Sequence, residues 1–192
     1  SAPQIHRLIN QGELDQITQM LEDARELIAS CDAHGGTPLH RASLQGRSHI
    51  VRLLLERGSD ANAREQVFGF TALHMVACRT SRPVVAALHP ELDRCTFGDS
   101  GEEAEVRVAR LLLDSGADVH AAAGFSRTPL HMAAVAGRAA LVELMISRGS
   151  DVEARDNLGF SPLHYAAFGG DAGAARRIVE AGADLQVTAE MG

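Results

Sequence analysis

Four near-copies of one tetrapeptide recur along the chain: Thr37-Pro38-Leu39-His40, Thr71-Ala72-Leu73-His74, Thr128-Pro129-Leu130-His131 and Ser161-Pro162-Leu163-His164. Their spacings are 34, 57 and 33 residues. A period near 33 means that one small unit is built repeatedly. A unit that size cannot bury its own apolar face, so neighbours must stack to form a continuous core. The chain is therefore constrained to an array of similar units.

The first complete unit shows how each part works. Thr37 can cap a helix, and Pro38 suits the first helical position, where a missing N–H costs nothing. Gly46 permits a tight turn before a second helix. Ile50, Val51, Leu53, Leu54 and Leu55 supply that helix with an apolar face, and Gly58 follows its last turn as a C-terminal cap. Asp60 to Asn62 lead into an extended finger. The second helix recurs at 108–113, 141–146 and 174–179, the glycine at Gly116, Gly149 and Gly182, and the aspartate at Asp118, Asp151 and Asp184.

This frame resembles the ankyrin repeat over most of residues 1–192. The resemblance implies an all-α solenoid of stacked helix-turn-helix units with β-hairpin-like finger loops. Residues 1–36 form a degenerate N-terminal capping repeat, in which Ile5, Leu8 and Ile9, then Leu14, Ile17, Met20 and Leu21, supply the apolar faces. Gln4, His6, Gln11, Asp15 and Gln19 are expected on its wet outer side. Further repeats are expected at 37–70, 71–127, 128–160 and 161–192, the last truncated in its finger. Two positions depart from the pattern. Ala72 replaces proline and weakens one helix start slightly; Ser126 replaces a finger glycine and should distort that turn.

The 57-residue spacing exceeds its neighbour by 24 residues. The excess is expected between the two helices of the second full repeat, near 81–104, with a short helix between Pro83 and Pro90. Ser100 and Glu103 have capping-box spacing, so the next helix should begin early, near Gly101.

Composition narrows the function classes. The formal net charge of −7 disfavours non-specific nucleic-acid or acidic-membrane binding, which rewards clustered Lys and Arg. No apolar run approaches the ~20 residues that span a bilayer. Cys31, Cys78 and Cys95 are an odd set without paired spacing, which fits free thiols and a reducing, intracellular location, cytoplasmic or nuclear. Nine histidines invite a metal or catalytic reading. Four of them occupy the tetrapeptide, where the resemblance implies a structural role tying adjacent fingers together. No phosphate loop, nucleophile elbow or metalloprotease motif is present, so no catalytic residue, metal site or cofactor is expected.

The family resemblance places partner contacts on the finger tips and the exposed side of each first helix. Carried over position by position, it nominates His34, Phe68, Phe70, Arg79, Phe125, Arg127, Val135, Leu158, Phe160 and Phe168. Five of the six phenylalanines fall in this set, and aromatics dominate binding hot spots. Phe70 and Phe160 immediately precede the capping residue, where packing between fingers is the competing role. The expected function is a protein-interaction scaffold or adaptor gripping a protein segment by apolar anchors. The alternative is a regulatory or targeting module of a larger enzyme, ubiquitin-ligase receptor or channel. Asn62 resembles the finger asparagine that is hydroxylated in many ankyrin proteins, with Leu54 eight residues before it; an ordinary turn-forming role is the competing reading.

Overall fold

The computed structural model describes residues 1–78 and 101–185. Ten α-helices lie among them: α1 (Ala2–Gln11), α2 (Leu14–Asp23), α3 (Pro38–Leu44), α4 (Ser48–Glu56), α5 (Ala72–Cys78), α6 (Glu102–Asp114), α7 (Pro129–Val135), α8 (Ala139–Ser147), α9 (Pro162–Gly169) and α10 (Ala172–Glu180). Successive pairs form antiparallel hairpins. Odd-numbered helices pack on one another in an inner layer, even-numbered ones in an outer layer. Helices this short are marginal alone, so their stability comes from the shared face. That face is aliphatic: Ile5, Leu39, Leu73 and Leu130 are buried in the inner layer, Ile17, Leu54, Leu112, Leu141 and Ile178 in the outer.

Each tetrapeptide builds the same cap, and the first three carry it on to the next finger. The Thr37 N–H and hydroxyl both donate to His40 Nδ1, at 3.2 and 2.8 Å. Nε2 of His40 then donates to the Phe70 carbonyl at 2.9 Å. His74 and His131 repeat this with the carbonyls of Arg127 and Phe160, at 3.1 Å each. A carbonyl has no proton to give, so Nε2 must carry one and Nδ1 must accept. Neutral imidazole is the form that satisfies both ends. Burial lowers the affinity of His40, His74 and His131 for a second proton, that of His74 to a pKa of about 4. The cap survives Ala72: Thr71 makes the same two bonds to His74.

The fingers contain no ladder strands among the described residues; one isolated bridge joins Ala123 and Arg127. What shapes them is a carboxylate at their base. Asp32 Oδ1 accepts the N–H groups of His34 and Gly36, and Asp156 Oδ1 those of Leu158 and Phe160. In the second finger the residue is Glu65, which accepts from Val67, Phe68 and Phe70 at 2.6, 2.6 and 3.0 Å. That finger is one residue longer, which explains the spacing of 34 rather than 33. Equivalent tip bonds (Gln66 N–H to the His34 carbonyl, Gly124 to Phe68, Asn157 to Phe125) identify Val67 as the extra residue. The longer side chain spans the longer tip.

Several sequence expectations need correction. His6 is buried, not wet, and its Nε2 donates to the Ser30 carbonyl. Leu14, expected on an apolar face, is 37 % exposed. Helix α6 begins early, with Gly101 as its N-cap; at 13 residues against nine in α4 and α8, its extra first turn falls at the end of the 81–104 excess. The remainder of the 81–104 segment, including the short helix expected there, lies outside the described residues except for Gly101.

Candidate functional site: an aromatic groove between fingers and inner helices

The inner-layer helices α7 and α9 approach unusually closely. A Cβ on Gly169 would collide with the Val135 carbonyl, so only glycine permits this contact. Their exposed sides and the tips of the second, third and fourth fingers enclose a groove of about 640 Å³. Phe68, Phe125 and Leu158 occupy equivalent tip positions, and each tip is tied to a neighbouring one by a backbone hydrogen bond. Phe168 projects from the end of α9. It is 91 % exposed, against 57 % for Phe125, 50 % for Leu158 and 37 % for Phe68.

The third finger departs from the others. Ala123 stands where its neighbours have a carboxylate, and Ser126 where they have glycine. The bond from the Ala123 N–H to the Arg127 carbonyl is shared with the other fingers; the Arg127 N–H donates to the Ala123 carbonyl where theirs donate to the carboxylate. Both Phe125 and Ser126 adopt left-handed conformations, φ 63° and 60°. L-residues pay roughly 1–2 kcal/mol for that region. Such strain is commonly retained at functional sites, and here the strained turn carries the Phe125 ring into solvent beside the groove.

Arg127 lies across the floor. Its guanidinium carbon sits 5.0 Å from the Phe125 ring centroid and 5.6 Å from that of Tyr165. Its Nε is 3.8 Å from Asp156 Oδ2, an oxygen already taken by the Tyr165 hydroxyl at 2.7 Å. Burial alone would raise the Asp156 pKa, but the bonds from Tyr165, Phe160 and Leu158 outweigh it and hold the carboxylate below its usual range. Burial and the Asp156 bond push Tyr165 up to about 12.

Eight of the ten residues nominated from sequence line this groove: Phe68, Phe70, Phe125, Arg127, Val135, Leu158, Phe160 and Phe168. Phe70 is not available as an exposed anchor, however. It is buried, stacked on His74 at 5.3 Å, and forms backing for Phe68. Phe160 is half-buried against His164 and Tyr165. His34 caps the first finger outside the groove, and Arg79 lies outside the described residues. Asn62 is remote from the groove. Its amide donates to the Gly116 carbonyl and accepts from the Asp118 N–H, bridging two repeats. Sequence reasoning missed Met132, Tyr165, His164 and Ala167 as lining residues. Tyr165 follows the tetrapeptide directly, at the position of Arg41, and each bonds the finger carboxylate of its own repeat. That shared register was the available signal.

Among the described residues, no group of three His, Cys, Asp or Glu side chains could hold a metal ion, and no helix is long and apolar enough to cross a membrane.

Comparison with known proteins agrees with this architecture. A family model described as ankyrin repeats (3 copies) matches residues 5–96 and 100–189. Human protein phosphatase 1 regulatory subunit 27 is 36 % identical over 96 residues, 49 % of this chain and 61 % of that protein. Human DNA-binding protein RFXANK is 46 % identical over 56 residues, 29 % of this chain and 22 % of that protein. Human ankyrin repeat and SOCS box protein 16 is 37 % identical over 120 residues, 59 % of this chain and 21 % of that protein. The chain thus matches less than two thirds of the length of these relatives. The stacked hairpins, the repeated histidine joints and the family match over both halves establish that this chain belongs to the ankyrin repeat family.

Proposed function

We propose that this chain is a non-catalytic, intracellular scaffold or adaptor that holds a segment of a protein partner in the groove between fingers two to four and helices α7 and α9. The observation that carries the reading is the gathering of four large exposed apolar side chains, Phe68, Phe125, Leu158 and Phe168, around one concavity. A contiguous exposed apolar patch of this kind marks an interaction surface. Phe168, at 91 % exposure, packs little against the described core. Ankyrin repeats are protein-interaction modules, and one relative is named as a phosphatase regulatory subunit.

A second reading, the regulatory or targeting module of a larger protein, is favoured by the match to only 21 % of the SOCS-box relative. It uses the same groove and differs in what the rest of the polypeptide does.

Affinity capture with the wild-type chain and with a Phe125→Ala, Phe168→Ala variant tests the groove. Loss of a hot-spot aromatic costs about 2 kcal/mol or more, roughly thirtyfold in affinity. The variant should lose its partner while melting within a degree or two of wild type. Wild-type binding should survive from about 0.15 M to about 1 M salt, because exposed charge pairs are screened and weak. Binding that ignores both substitutions but collapses in salt would place the site elsewhere.

A further inference from the structure

We propose that the segment held in this groove is acidic as well as apolar, with a carboxylate placed among its apolar anchors to meet Arg127. This rests on the groove reading above and adds the chemistry of the occupant. Although the chain carries a net charge of −7, the groove has no acidic lining residue. The carboxylates of fingers two and four are turned inward. Glu65 is buried under three finger N–H groups, and the Asp156 side chain is wholly covered, its oxygens taken by two N–H groups and the Tyr165 hydroxyl. The arginines of the same fingers face outward. Exposed Arg64 and Arg155 cap the carbonyls of Gly69 and Gly159, each glycine standing between two lining residues.

Arg127 is the cation inside the groove. Its Nε is buried 3.8 Å from Asp156 Oδ2, longer than a hydrogen bond, while the side chain as a whole stays 32 % exposed. His164 and Tyr165 are the other polar lining residues. His164 Nδ1 accepts from Ser161, as in the other repeats, which leaves the proton on Nε2. Tyr165 spends its hydroxyl on Asp156. Among these lining groups the charged one is positive: the Arg127 guanidinium, which can only donate. An apolar wall around a half-buried guanidinium strengthens a charge-assisted bond to an incoming carboxylate. A basic segment would meet like charge from Arg127.

Short random peptides displayed and selected on the purified chain test this. Enriched peptides should carry Asp or Glu beside Leu, Ile, Phe or Met. For the tightest peptide, changing its acid to the amide should weaken binding by about tenfold to the wild-type chain. The change should matter little to Arg127→Gln, and Arg127→Lys, which keeps the charge, should retain part of the discrimination. Thermal melts of both variants show that each is folded. Enrichment of neutral or basic peptides would overturn the proposal, as would an amide penalty that is undiminished in Arg127→Gln. A selection that enriches nothing, or peptides indifferent to Phe125→Ala with Phe168→Ala, would instead overturn the groove reading on which it rests.

Discussion

Shortening Glu65 to aspartate should destabilise the protein, and deleting Val67 from the same variant should restore it. Glu65 accepts three backbone N–H groups in a finger one residue longer than its neighbours. An aspartate there is one methylene short, so bonds of 2.6 and 3.0 Å would open by about a C–C bond length, beyond hydrogen-bond range. Bonds to a charged group are worth about 1.5–3 kcal/mol each. Water can replace the carboxylate at the exposed Val67 and Phe68, but not at Phe70, which is buried. The net loss is therefore about 2–4 kcal/mol rather than the full sum. The damage would not be confined to the tip, because the Phe70 carbonyl also receives His40 Nε2. At about 2–4 °C per kcal/mol for a chain of this size, Glu65→Asp should lower the melting temperature by roughly 5–15 °C. Removing Val67 converts the finger to the length that Asp32 and Asp156 already serve. Calorimetry on wild type, Glu65→Asp and the double variant measures all three. A single variant that melts like wild type, or a double variant no better than the single, would refute the matching of side-chain length to finger length.

Three further outcomes follow from the same structure. Ser126→Gly should stabilise the third finger by about 1 kcal/mol, the relief of a left-handed serine less the entropy that glycine adds to the unfolded chain; an unchanged or lowered urea midpoint would contradict it. Mild acid should weaken the fold. The buried histidines have folded pKa values below their unfolded ones, so the stability they contribute is present above about pH 6.5 and is lost as pH falls. For His74, about 4 when folded, the loss approaches about 3 kcal/mol by pH 4, read as a falling urea midpoint; a flat midpoint from pH 7 to 4.5 would refute the neutral-histidine joints. Phe168→Ala alone should leave the melting temperature unchanged, since the side chain is 91 % exposed.

The sequence made the array legible because its determinants are local. Capping threonine, first-turn proline and helix-ending glycine sit at fixed offsets, and the repeats place equivalent residues at equivalent positions. That is why Phe68, Phe125 and Leu158 could be aligned on one rim. Burial was harder to read, because it depends on neighbours from other repeats. Phe70 has the aromatic character of an anchor but packs on His74, and His6 has the polarity of a surface residue but serves the Ser30 carbonyl. The difference between spacings of 34 and 33 recorded Val67 in plain sight. Its meaning required seeing which N–H groups Glu65 holds. Tyr165 escaped notice because its partner, Asp156, lies nine residues earlier in a finger that the periodicity describes only as a loop.

The most direct test of the groove is site-specific photo-crosslinking. A benzophenone amino acid at position 168 faces the groove; one at position 110 sits on the exposed side of α6 in the outer layer. Added to cell extract and irradiated, the chain labelled at 168 should capture a discrete protein adduct that excess unlabelled chain suppresses, while the chain labelled at 110 should not. Adducts at 110 with none at 168 would contradict the assignment of this concave surface as the binding site.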